Sequence, residues 1–189
     1  MANDIIDKYS DVWGDDPRRL LDEYTYQPTL TRKLDALDPG GLTTGLLHEI
    51  VLWKLNRYPA VSEDLILQLR TVGAVRPREH RKSKAILTQL LQSQGIALAM
   101  ASTVLRFLNP AAFQIIDDRA FRIVCPGERK YPTKPAKIND MYLDNCAEIY
   151  FDYLDKLHAL ASDRLPFSSA DRILYMLDIK LGNRIGDAS

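Results

Sequence analysis

Cysteine is scarce in this chain. Cys125 and Cys146 are the only two, too few for a disulfide scaffold or for a four-cysteine iron–sulphur or zinc site. The three histidines, His48, His80 and His158, are widely spaced, and no HExxH or paired-ligand pattern occurs; no catalytic transition metal is expected. Long apolar runs are missing as well: none approaches the roughly 20 residues of a membrane helix. The acidic opening MANDIIDKYSD has no signal-peptide pattern, so a soluble, cytoplasmic protein is expected. Net charge is also absent, with 25 Lys and Arg against 25 Asp and Glu, which argues against a uniformly basic nucleic-acid binder.

What is present is an ordinary globular composition over 189 residues, 46% hydrophobic and 26% charged, enough for one domain with a real core. The zero net charge hides a segregation. Residues 70–137 hold 13 Lys and Arg against 4 Asp and Glu, a net of +9, and the rest of the chain holds 12 against 21, a net of −9. The middle third is therefore a candidate polyanion surface, with solvated charge on unrelated helices as the plain alternative.

Helical spacing dominates, without strand-like alternation or hairpin turns, and predicts an all-α fold. Pro17, after Asp15 and Asp16, opens a helix that ends near Pro28, and a second begins near Leu30. Thr43 or Thr44 caps a helix through Asn56 with Leu46, Leu47, Ile50, Val51 and Leu55 on its buried side. Ser62, followed by Glu63 and Asp64, caps a short helix to about Arg70. The basic run Arg76, Arg78, Arg81, Lys82, Lys84 leads into a helix with Ile86, Leu87, Leu90 and Leu91 on its core face, interrupted at Gly95. Another helix runs from about Leu98 to Leu108, and Asp117 or Asp118 caps a short one through Val124. Residues 125–137, with three prolines and a glycine, read as a loop. Two helices complete the chain, from Asn139 or Asp140 to about Ser162 and from Ser168, where Ser168-x-x-Asp171 forms a capping box.

The segment 86–124, ILTQLLQSQGIALAMASTVLRFLNPAAFQIIDDRAFRIV, resembles the helix-hairpin-helix (HhH-GPD) superfamily of DNA base-excision glycosylases. Its pattern is approximately LxxLxGVGxxxAxxxL followed by VDxHVxR; LLQSQGIALAMASTVL matches the first part and IDDRAFR the second. The resemblance implies a two-lobed helical fold over 1–189, with the hairpin motif at about 86–108 and the aspartate segment at 115–124. The N-terminal segment would join the C-terminal helices in one lobe and the hairpin helices would form the other. It implies a turn at Gly95, Ile96 and Ala97 through which the backbone approaches a DNA phosphate. Ala97 stands where the family has a second glycine. A potassium or sodium ion at the turn carbonyls is the one ion implied, with no other cofactor and no iron–sulphur cluster.

Asp117 matches the catalytic aspartate of the resembled family. Cleaving an N-glycosidic bond builds positive charge on the sugar, which a fixed carboxylate stabilises while orienting a water. A one-residue shift would exchange it for Asp118. Arg119 stands where many members carry His, and Arg119, Arg122, Arg81, Lys82 and Lys84 are the expected side-chain DNA contacts. Residues Leu98 to Ser102 include no lysine, so a monofunctional hydrolase is implied rather than a Schiff-base lyase. Asn56 and Arg57 are candidates for filling the gap left by a flipped nucleotide, with Trp53, Lys54 and Tyr58 beside the base. The expected partner is duplex DNA with a flipped base, and the expected state is monomeric. A non-catalytic helix-hairpin-helix DNA-binding or DNA-sensing protein and an abasic-site lyase remain the alternatives, and the excised base is not specified.

Overall fold

The computed structural model describes residues 10–184 apart from Asp15, Glu23, Asn56, Arg57, Glu128 and Arg129. The architecture is all-α: nine α-helices are found among the described residues, and the one β contact is an isolated bridge between Ala60 and Gln94. No helix among them is long and apolar enough to cross a membrane. The chain divides into two units, residues 1–58 and 59–189.

The first unit holds α1 (Ser10–Trp13), α2 (Pro28–Asp35) and α3 (Thr44–Lys54). The helix expected from Pro17 to Pro28 is instead a short 3-10 stretch, Pro17–Leu21. The carboxylate of Asp16 accepts from both the backbone N–H and the guanidinium of Arg18, a bond that starts a helix, but the stretch ends at Leu21, whose carbonyl closes a turn on the Tyr24 N–H. Thr43 caps α3 as expected, accepting from the N–H of Leu46 at 3.2 Å. The expected buried face of α3 is corrected: Leu47, Val51 and Leu55 are exposed, and the helix instead turns Trp53 toward α2. Trp53 Nε1 donates to Thr31 Oγ1 at 2.9 Å, and the Tyr26 hydroxyl donates to the Trp53 carbonyl at 2.6 Å. With apolar residues around most of its circumference, α3 has no single face that spacing can select.

The second unit contains α4 (Glu63–Leu69), α5 (Lys84–Gln92), α6 (Leu98–Leu108), α7 (Asp118–Val124), α8 (Asp140–Leu160) and α9 (Ala170–Lys180). Ser62 caps α4 and Asn139 caps α8, each accepting from an N–H three residues on. The 21-residue α8 buries Tyr142, Cys146, Tyr150, Tyr153, Leu154 and Leu157, among others, and so needs neighbours on several sides. It packs against α5 and α7, and α7 packs against α9. The implied division of the helices is therefore not observed: the hairpin helices α5 and α6 share one core with the C-terminal helices. Arg106 of α6 adds a polar tie, donating to the Ser168 carbonyl at 3.0 Å and lying 3.6 Å from Asp171.

That tie also displaces the expected capping box. Ser169, not Ser168, stands at the N-cap of α9 and makes no side-chain cap bond. Asp171 is drawn inward, where it is 4% exposed, because the buried guanidinium of Arg106 needs an anion beside it.

Candidate active site

The hairpin consists of α5, the connection Ser93–Ala97 and α6. Gly95 has φ 81°, a left-handed conformation that glycine adopts without steric cost. Ile96 is buried between the helices. Ala97 sits at φ −108°, ψ 179° as the N-cap of α6, an extended conformation open to alanine; the turn needs no second glycine.

Asn109 and Pro110 end α6. The Asn109 side chain donates to the carbonyls of Val72 and Val75 at 2.9 and 2.8 Å and accepts from the N–H groups of Ala111 and Ala112. The chain then runs into Asp117 without regular structure, and tyrosines fix it there. Tyr150, Tyr153 and Tyr131 donate to the carbonyls of Gln114, Ile115 and Ile116 at 3.0, 2.9 and 3.3 Å. The Ile116 N–H donates to Ser102 Oγ at 3.1 Å. Burial pushes all three phenols up, so they stay protonated donors. Sequence reasoning missed these residues, since Tyr150 and Tyr153 at helical spacing on α8 look like any core stripe and Tyr131 lies in a loop.

Asp117 is the N-cap of α7 and accepts from the Ala120 N–H at 2.8 Å. Partial burial pushes its carboxyl above the ordinary value of 3.8; bonds from the Ala120 and Arg119 N–H groups oppose the shift, and the nearby charge of Asp118 adds to it. Asp117 opens onto a cavity of about 380 Å³ lined also by Ile115, Asp171, Arg172, Tyr175 and Met176. Asp118 is not part of that lining but lies in the first turn of α7. One acid thus both caps a helix and faces a cavity, beside apolar walls and a second carboxylate. Asp171 Oδ1 accepts from the Arg172 N–H at 2.7 Å, while its Oδ2 makes no hydrogen bond among the described residues. The α9 side of this cavity had no signal in the sequence beyond ordinary helical spacing.

The basic residues expected on DNA are instead held by acids. Arg81 binds Asp152 and Asp155 of α8 at 2.9 and 2.6 Å, Lys82 binds Glu79 at 2.9 Å, and Lys84 binds Asp144 at 2.8 Å. Arg119 and Arg122 converge on Asp178 of α9 at 2.7 and 3.1 Å. Burial pushes the fully buried Asp178 up, but bonds from Arg122, Asn183 and Arg119 outweigh it and hold the carboxyl below its usual range. Of the thirteen cations in residues 70–137, Arg81, Lys84, Arg106, Arg119 and Arg122 pair with acids of the negative helices that follow.

Trp53, Lys54 and Tyr58 belong to the first unit and the cavity to the second, while Asn56 and Arg57 lie outside the described residues. Among the described residues no group of three or more His, Cys, Asp or Glu is arranged to hold a metal ion. The monovalent cation implied at the turn does not fit either. The ammonium of Lys134, from the loop after α7, donates to the carbonyls of Leu91, Ser93 and Ile96, the oxygens such an ion would need.

Comparison of the chain with protein-family models, with curated proteins and with solved structures finds no match.

Proposed function

We propose that this protein hydrolyses the N-glycosidic bond of a damaged or modified base flipped out of duplex DNA, leaving an abasic site. The observation that carries this reading is the setting of Asp117: a capped, partly buried carboxylate at the mouth of a cavity with apolar walls, placed beyond a glycine-turn hairpin. A flipped base costs a few kcal/mol to extrude. Ile115, Tyr175 and Met176 offer it apolar contact.

In the chemical step the bond between the sugar carbon and the base nitrogen breaks, and its electron pair leaves with the base. The carboxylate of Asp117 stabilises the positive charge that develops on the sugar. A water held by the same carboxylate adds its oxygen to that carbon, Asp117 relays the released proton, and the departing base takes up a proton from solvent. Phosphate contact in this reading rests on backbone N–H groups at the Gly95 turn more than on Arg81, Lys82 or Lys84, whose charges are already engaged.

The test is abasic-site formation on a panel of DNAs, from single-lesion duplexes to heavily modified genomes, with wild type and Asp117→Asn in parallel. Release by wild type alone is expected. Equal release by the variant would sink the mechanism, and binding without release across the panel would favour the non-catalytic DNA-binding reading.

A further inference from the structure

Lys134 lies in the irregular segment between α7 and α8, two residues after Pro132 and directly before Pro135. Its partly buried ammonium reaches back to the hairpin and donates to the carbonyl oxygens of Leu91 at 3.3 Å, Ser93 at 3.4 Å and Ile96 at 2.5 Å. An ammonium has three hydrogens and no acceptor, so these three oxygens saturate it. Leu91 and Ser93 lie at the C-terminal end of α5, where carbonyls beyond the helix ladder and the helix dipole favour a cation, and the Ser93 carbonyl also accepts from the Ile96 N–H at 3.3 Å. Ile96 lies across the turn, one residue before the N-cap of α6. The Gln94 carbonyl between them accepts from the Ala60 N–H at 3.2 Å. The prolines near Lys134 restrict the backbone that carries it, which lowers the entropic cost of holding the side chain in place.

We propose that Lys134 is the built-in cation of this hairpin: a positioning residue whose tethered ammonium gathers the turn carbonyls and leaves no place for a free potassium or sodium ion. Cation independence is a property of the free protein; its consequence for phosphate binding rests on the DNA reading above.

The test compares thermal melts of the full chain, without DNA, in potassium, sodium and tetramethylammonium chloride at one ionic strength, together with thallium(I) binding followed by thallium NMR. Wild type is expected to show the same Tm in all three salts and no thallium site. Lys134→Met removes the charge and keeps the stem. It is expected to melt lower in tetramethylammonium, to recover part of the loss saturably with potassium, and to bind thallium. A saturable potassium effect or a thallium site in wild type would overturn the proposal, and so would a Lys134→Met loss equal in all salts, the signature of a plain helix cap. The wild-type arm decides alone if the variant does not fold. DNA affinity of wild type in potassium and in tetramethylammonium forms a separate arm, expected to be equal; absence of DNA binding there would remove the DNA reading and leave the cation result standing.

Discussion

The Tyr153 hydroxyl donates to the carbonyl oxygen of Ile115 at 2.9 Å, two residues before Asp117. The ring is fully buried, so no water replaces the bond once it is lost. Tyr153→Phe is expected to destabilise the protein by about 1–3 kcal/mol, the cost of a buried carbonyl left without a donor. On the proposed function it should also lower kcat for base release more than it raises KM, because the segment holding Asp117 loosens. Urea unfolding and single-turnover kinetics measure the two effects, and an unchanged stability would show that the bond carries no weight.

The two adjacent acids separate by substitution. Burial, and to a lesser degree the nearby like charge of Asp118, hold the Asp117 carboxyl above 3.8. Its ionised fraction falls as pH drops through that raised value, so the proposed base release would acquire an acidic limb above pH 3.8. Asp118→Asn should keep activity and move the limb to lower pH, whereas Asp117→Asn should abolish release while preserving the cap, since Asn and Asp cap about equally well. Loss of activity in Asp118→Asn with an active Asp117→Asn would exchange their roles.

Arg122 and Asp178 form a buried pair, 3.1 Å apart. Arg122→Ala leaves Asp178 with Arg119 and Asn183 as its remaining donors, and breaking a buried pair on one side typically costs about 3–5 kcal/mol. The double variant Arg122→Met with Asp178→Leu should recover most of that loss in denaturant titrations, although Arg119 also loses its anion. Equal damage in the single and double variants would assign the effect to packing.

His158 stacks on Phe167 with ring centroids 3.7 Å apart and on His80 at 5.8 Å. Burial, then the neighbouring His80 and Arg78, depress its pKa from 6.5 to about 4, with Asp155 opposing; burial also lowers that of His80. In the unfolded chain His158 titrates near 6.5, so between about pH 6.5 and 4 the unfolded state binds more protons. Stability is complete above that window and is lost as pH falls through it, by on the order of 2–3 kcal/mol for His158. Melts across the window should show a shallower decline in His158→Phe, which keeps the stack and removes the titration. An identical decline would place the pH sensitivity elsewhere.

The elements were largely legible in the chain. Thr43, Ser62, Asp117 and Asn139 each cap the helix their position announces, and Gly95 takes the left-handed turn between α5 and α6, because capping and φ preference are settled within four or five residues. The start at Pro17 was legible in the same way, with the Arg18 N–H bound to Asp16, whereas the end at Leu21 carries no local signal.

Charge was legible only as a sum along the chain. The excess of cations in residues 70–137 suggests a basic face, yet Arg81 meets Asp152 and Asp155 more than seventy residues away, and Arg119 and Arg122 meet Asp178. Coulomb attraction over a few ångströms ignores sequence separation, so the folded surface need not inherit the charge pattern of the chain.

By itself, then, the sequence determined the helical class, most of the caps and the turn, together with Asp117 as the acid at the start of α7, all consequences of periodicity and backbone preference over short spans. Tertiary structure alone decided that tyrosines from α8 and the loop before it would hold the segment before Asp117, that Asp171, Tyr175 and Met176 would share its cavity, and that Lys134 would occupy the hairpin carbonyls. Each of those contacts joins residues far apart in the chain, and such pairs meet only when burial of the apolar faces of α5, α8 and α9 brings their helices together.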